Sequence, residues 1–232
     1  MKRPPEIAPP PASAEIAFRA GARPRVTRNE MSDSRPTVFV VDDNPRVRQS
    51  VCTLLAAAGL RSEAYASARA FLAAYDPSRP GCLVLDLYLR GENGLELQDE
   101  LRRRKATLPV IVLTAHGTVP ASVRALKAGA IEFLQKPAPP ATLLARIRDA
   151  LAMDESARQQ TAVRAARERR LARLTPRERQ VLDLLLSGKT SKEIATGLGL
   201  SVRTIETYRA TIYVKTEVSS FAQLVRVVLA QE

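Results

Sequence analysis

From Thr37 to about residue 150 the chain alternates short β-branched runs with amphipathic stretches, and no other feature constrains its fold as strongly. The runs are TVFVVD (37–42), LRSEAY (60–65), CLVLDL (82–87), PVIVLTA (109–115) and EFLQK (132–136). Between the first two, Asn44 fits an N-cap and Pro45 a first helical position, while Val47, Val51, Leu54, Leu55 and Ala58 line one apolar stripe that Gly59 ends. Further helices are expected at 67–75, 94–105, 120–128 and from 140 onward. The pattern specifies an α/β doubly wound domain over residues 37–150, built on a five-stranded parallel sheet. Ligands of such sheets gather outside the carboxyl ends of the strands, so the chemistry is sought there.

Three carboxylates fall at those ends: Asp42 and Asp43 after the first strand and Asp86 after the third. Three like charges brought together raise one another's pKa values unless a cation neutralises them, and their hard oxygens suit Mg²⁺ with waters retained. Mg²⁺ is therefore the expected cofactor. Thr114 closes the fourth strand and Lys136 the fifth, so a hydroxyl and an ammonium are expected to face the same pocket. A nucleophilic carboxylate among anion-stabilising groups is the requirement for forming an aspartyl phosphate.

Outside this domain the chain changes character twice. Residues 1–36 hold seven of the sixteen prolines and almost no aromatic residue, and are expected to form a disordered tail, with Met31 a candidate for the true start. Residues 151–173, rich in Ala, Arg, Glu and Gln without Gly or Pro, read as a helical linker, either a solvated spacer or a continuous helix that couples the domains or dimerises. From 174 to 232 four helices are expected, at about 176–187, 191–198, 202–216 and 220–230. Thr175-Pro176-Arg177-Glu178 reads as a capping box, and Thr190 to Glu193 and Ser220 to Gln223 repeat its spacing. Only Gly199-Leu200-Ser201 separates the second and third helices, the short connection of a helix-turn-helix.

Composition adds bounds. The formal charge of +12 makes a polyanionic partner plausible, yet it is spread along the whole chain without a polybasic block, so charge alone does not say which element touches nucleic acid. No apolar run approaches the length of a membrane span, and the chain reads as cytoplasmic with no membrane partner. Cys52 and Cys82 sit within apolar segments as buried, reduced thiols. His116, the only histidine, reads as a surface-loop residue.

The set VDDN (41–44), LVLDL (83–87), Gly94, VLTAHG (112–117) and AGAIEFLQKP (128–137) resembles the receiver domain of two-component response regulators. The resemblance implies Asp86 as phosphoacceptor, Asp43 as a direct Mg²⁺ ligand, Asp42 holding the ion largely through water, and the backbone carbonyl of Tyr88 as a further ligand. It implies Lys136 pairing with the phosphoryl oxygens, Thr114 moving in to bond them, and Phe133 filling the space that Thr114 leaves. It also implies a cis bond at Lys136-Pro137. The chain departs from the family at Leu89 and Arg90, where Met-Pro is common, and this is expected to loosen the loop after the site. Haloacid-dehalogenase-type phosphatases share an Asp nucleophile, Mg²⁺ and a Lys, but they need a second Asp two residues after the nucleophile. Tyr88 stands there instead, so the chain is expected to label itself stoichiometrically and not to act as an enzyme.

The stretch LTPRERQVLDLLLSGKTSKEIATGLGLSVRTIETYRATIYVK (174–215) resembles the helix-turn-helix domain of the LuxR/NarL/FixJ group, and with the receiver marks the chain looks like a FixJ-type regulator. In the helix over 202–216, Ile205, Ile212 and Val202 are expected to be buried, with Arg203, Thr204, Glu206, Thr207, Arg209 and Ala210 facing outward. The resemblance sets Glu206, Thr207 and Ala210 near base edges, with Glu206 able to accept from a cytosine amine, and Lys192, Arg203, Thr204, Tyr208, Arg209 and Lys215 against phosphates. Tyr208 and Thr216 replace a usual His and a usual core Leu. The implied partners are double-stranded promoter DNA, a sensor histidine kinase and a second copy of the chain after phosphorylation, with RNA polymerase a further candidate. A regulator of the same fold working without phosphate stays open at this point.

Overall fold

A computed structural model describes residues 35–115 and 117–229. The tail expected over 1–36, except its last two residues, the candidate start at Met31, and His116 lie outside that range. The elements run β1 (Thr37–Val41), α1 (Pro45–Ala57), β2 (Arg61–Tyr65), α2 (Ala68–Ala74), β3 (Gly81–Leu85), β4 (Tyr88–Leu89), β5 (Glu92–Asn93), α3 (Gly94–Arg103), β6 (Val110–Thr114), α4 (Val119–Lys127), β7 (Ala130–Gln135) and α5 (Pro140–Ala172). Four more helices follow: α6 (Pro176–Leu186), α7 (Ser191–Leu198), α8 (Val202–Thr216) and α9 (Phe221–Leu229).

The five expected strands form one parallel sheet in the order β2-β1-β3-β6-β7. The three central strands are buried along their whole length, so they read as unbroken apolar runs and not as alternations. Their side chains still alternate between faces. Val38, Val40, Cys82, Val84, Ile111 and Leu113 pack with Leu55, Leu143 and Ile147 of α1 and α5, whereas Phe39, Val41, Leu83 and Leu85 pack with Phe71, Leu97 and Leu101 of α2 and α3. Cys52 and Cys82 are free thiols, but only Cys82 is buried as expected, Cys52 being partly exposed; burial, aided by the charge of Asp154, pushes Cys82 up to about 12, so it stays protonated.

Two features add to the sequence pattern. First, the segment after Asp86, where Met-Pro is missing, is not an irregular loop. It folds into a small antiparallel hairpin, Tyr88 opposite Asn93 and Leu89 opposite Glu92, whose turn is Arg90-Gly91 with Gly91 at φ +75°. Glu92 accepts from the amide of Ala68 at 2.6 Å, and Asn93 caps α3 through the amide of Leu95 at 3.0 Å, so both hairpin residues are tied to helix starts. Second, the boundary expected between domain and linker at 150/151 falls inside α5, which runs unbroken for 33 residues.

That helix is anchored to the sheet. Asp154 is 1% exposed, and its carboxylate accepts from the amide of Gly81 at 2.9 Å and from Arg158 Nε at 2.7 Å. Arg158 also donates to the carbonyls of Pro77, Ser78 and Arg79. Toward its far end, Arg167 donates to the carbonyl of Val228, and Arg170 and Arg173 bond the carboxylate of Glu217 at 2.9 and 2.8 Å. Between these two anchored ends the helix is unbroken and most of its side chains are exposed.

The helical end carries the expected caps. Thr175 with Glu178 and Thr190 with Glu193 complete reciprocal capping boxes, Ser201 caps α8, and Gly199 closes α7 in the left-handed conformation. At the third expected box only half forms as such: Ser220 accepts from the amide of Gln223, but the Gln223 carbonyl takes the amide and hydroxyl of Ser219. Ile205, Ile212 and Leu224 form the centre of this core. Val202 is a correction, because it is 46% exposed at the first turn of α8. Thr216 occupies its core position fully buried, its hydroxyl donating to the carbonyl of Ile212 at 2.6 Å.

Candidate functional site

β1 and β3 are parallel neighbours in register, so the residues that follow them emerge side by side at one sheet edge. Asp42, Asp43 and Asp86 each offer a carboxylate oxygen within 4.8 Å of the other two, with Asp42 and Asp86 buried and Asp43 half-buried. The strand ends hold them in place: Asp42 accepts from the amide of Asn44 at 2.9 Å, and Asp86 from the amide of Tyr88 at 3.1 Å. The second oxygens of both turn to one cation, with Lys136 Nζ 2.5 Å from Asp42 and 2.6 Å from Asp86. Burial alone would pull the Lys136 ammonium down, but the bonds to Asp42 and Asp86 outweigh it and hold its pKa above the ordinary lysine value.

The rest of the expected set gathers at this edge. Thr114 is fully buried at the end of β6, and its carbonyl accepts from the amide of Lys136 at 2.8 Å, which ties the two strand ends together. Phe133 is half-buried against Leu87, Val112, Ala121, Ala125 and Ala130 of β6, α4 and β7 and the segment after β3. Lys136-Pro137 is cis. Gly94 is required by space, since a Cβ there would stand 2.5 Å from the Asp86 carbonyl oxygen and 2.8 Å from Leu87 Cα. Next to the carboxylates lies a cavity of about 380 Å³ lined by Asp43, Tyr88, Arg90, Asn93 and Arg124 among others. Tyr88 is half exposed at its rim, on the first strand of the hairpin. Three hard oxygens of net negative charge at one edge, with a cavity beside them, fit Mg²⁺ as the sequence expected. Sequence reasoning treated Arg90 only as a missing proline; in the fold its guanidinium meets Asp43 at 3.2 Å.

At the other end of the chain, α7 and α8 pack as the two halves of a helix-turn-helix. Lys192, Arg203, Glu206, Thr207 and Ala210 are exposed, whereas Thr204, Tyr208 and Arg209 are half-buried, Tyr208 packing against the core. Glu206 is preset: one carboxylate oxygen accepts from Ser191 at 2.6 Å and from Arg209 at 3.0 Å, and these partners, the Ser191 hydroxyl first, hold its pKa below the usual carboxylate range. Arg209 bonds Ser191 as well, at 2.9 Å. Lys215, expected against phosphate, is paired within the protein. Its ammonium bridges both carboxylate oxygens of Glu178 at 2.8 and 2.7 Å and fastens α8 to the capping box of α6. Among the described residues no helix is long and apolar enough to cross a membrane.

Comparison with known proteins agrees with both ends. The model of the response regulator receiver domain matches residues 38–148, and that of the luxR family of bacterial regulatory proteins matches residues 172–228. The transcriptional regulatory protein FixJ of Azorhizobium caulinodans is 43% identical over 199 residues, covering 86% of this chain and 94% of that protein. Among solved structures, the response regulator StyR aligns with a TM-score of 0.82 at 41% identity over 85% of this chain and all of that one. Full-length FixJ from B. japonicum aligns at 0.53 and 37% identity over 84% of this chain and 97% of that one. The chain belongs to the FixJ-type response regulators, transcription regulators that join a receiver domain to a LuxR-type DNA-binding domain and stand between a sensor kinase and DNA.

Proposed function

We propose that Asp86 is the phosphoacceptor and that its phosphorylation controls DNA binding by the helices over residues 174–229. The observation that carries this reading is the convergence of Asp42, Asp43 and Asp86 with Lys136 bridging Asp42 and Asp86. Attack runs from an Asp86 carboxylate oxygen on the phosphorus of the donor; the new O–P bond forms as the bond to the leaving group breaks, and the leaving group keeps that electron pair. Asp42, Asp43, Asp86 and the Tyr88 carbonyl would hold Mg²⁺, which when bound supplies positive charge to the transferring phosphoryl oxygens. Lys136, already 2.6 Å from Asp86, is within reach of those oxygens without leaving its strand end.

The new dianion needs a hydrogen-bond donor, and Thr114 is the hydroxyl on the adjacent strand end. Its movement toward Asp86 leaves space above β6 that the half-buried Phe133 ring fills by packing, because it has no hydroxyl to reposition. Val119, Val123 and Leu126 lie exposed on the neighbouring α4, and the face made by α4, β7 and α5 is the one whose shape this changes. Two copies joined there present two α8 helices to a two-fold site, with Glu206, Thr207 and Ala210 toward base edges and Lys192, Arg203, Thr204, Tyr208 and Arg209 toward phosphates. Lys215, paired with Glu178 and still partly exposed, joins the phosphate-facing set.

The test is peptide mapping after incubation with acetyl phosphate and MgCl₂, with light scattering on the same samples. One phosphoryl group on Asp86, absent in Asp86→Asn, together with a doubled mass is the expected result. Label on another residue overturns the acceptor assignment, and an unchanged mass overturns the dimer.

A further inference from the structure

Arg90 sits where the fold does not need an arginine. It is the first residue of a two-residue turn completed by Gly91 at φ +75°, a position that accepts most residues and favours proline. The hairpin is held without it, by buried Leu89, by Glu92 at the start of α2 and by Asn93 at the start of α3. The Arg90 side chain itself is 91% exposed, so little packing depends on it. Its ion-pair partner is Asp43 Oδ2 at 3.2 Å, one of the three clustered carboxylates, and it lines the cavity beside them together with Arg124.

We propose that Arg90 is a tethered competitor of the divalent cation: it pairs with Asp43 in the metal-free receiver and lowers the affinity of the acidic pocket for Mg²⁺. The proposal rests on the reading of Asp42, Asp43 and Asp86 as the metal-binding set. A guanidinium on a fixed hairpin cannot diffuse away, so it stays at high local concentration beside Asp43 and must yield that oxygen before a metal takes it. When it yields, a positive charge remains nearby and still opposes the incoming dication. Both effects have the same sign. An exposed ion pair of this kind is worth little, which sets the expected effect at about a two- to fivefold change in Mg²⁺ affinity. Arg90 thereby raises the Mg²⁺ concentration at which the receiver becomes competent.

The experiment is calorimetric titration of MgCl₂ into the full chain at low ionic strength, for the parent protein, Arg90→Ala, Arg90→Pro and Arg90→Lys. The expected result is binding tighter by about two- to fivefold in the Ala and Pro variants, near-parent affinity in the Lys variant, and a smaller spread in 0.5 M KCl because salt screens exposed charges. Equal or weaker Mg²⁺ binding by Arg90→Ala overturns the proposal while leaving the metal-binding set intact. An absence of Mg²⁺ heat in every protein overturns that set, and the proposal with it.

Discussion

Replacing Asp154 by alanine tests the anchoring of α5. The carboxylate is 1% exposed and accepts two hydrogen bonds, from the buried amide of Gly81 and from Arg158. Removing it deletes charge-assisted bonds of about 1.5–3 kcal/mol and leaves a buried amide without an acceptor, a loss of about 1–3 kcal/mol. Breaking a fully buried ion pair would cost about 3–5 kcal/mol, but Arg158 is partly exposed and keeps three carbonyl acceptors, so its charge is not orphaned. The expected net loss is about 2–4 kcal/mol, local to the junction of α5 with the loop over 76–81. Hydrogen exchange followed by mass spectrometry reads this directly. Peptides covering 76–82 and 150–160 should exchange faster by about thirtyfold or more at 2 kcal/mol and above, while peptides from 176–200 serve as an internal control. Exchange within about threefold of the parent at both segments would refute the reasoning, since a helix extension lying on the surface as a spacer owes nothing to Asp154.

Gly94→Ala forces the Asp86–Leu87 backbone to move, because the new Cβ would lie 2.5 Å from the Asp86 carbonyl oxygen; self-labelling from acetyl phosphate, followed on phosphate-affinity gels, should fall by about tenfold or more. The pKa of Glu178 is depressed from its ordinary value of 4.5, chiefly by Lys215 and then by the amide of Thr175. Its stabilisation is therefore complete above that value and is lost as pH falls through the lower folded value, so Glu178→Gln should destabilise the helical end at pH 7 by about 1.5–3 kcal/mol and by much less at pH 3, as urea titrations at the two pH values would register. Glu217 adopts φ +57° and bonds Arg170 and Arg173, so Glu217→Gly trades exposed ion pairs for backbone relief, whereas Glu217→Ala loses the pairs and keeps the strain. The alanine variant should be less stable than the glycine variant by about 1 kcal/mol in thermal unfolding, and the reverse order would remove the argument from strain.

What the sequence makes legible follows from how local its causes are. Asp42, Asp43, Asp86, Thr114 and Lys136 are readable because each directly follows or ends an apolar run, and a parallel sheet brings the carboxyl ends of its strands together. The helix caps are readable because a box is written within four residues. The hairpin over 88–93 is not, since strands of two residues have no period to detect, and its consequence, the meeting of Arg90 with Asp43, is a contact 47 positions apart. Asp154 looks like any charged residue of a solvated helix until the start of β3 comes against it, and Lys215 looks like a surface cation until Glu178 is found across the helix pair. Val202 was expected inside on apolar character alone, but at the first turn of α8 no element covers it.

One gel tests whether Asp86 controls the helix-turn-helix. An electrophoretic shift of genomic promoter fragments, run with the parent protein and Asp86→Asn, each with and without acetyl phosphate and Mg²⁺, tests the link. Tighter binding is expected only for the parent protein with both reagents, and no gain for Asp86→Asn. Equal binding in all lanes would keep the DNA-binding end and contradict control by phosphorylation at Asp86.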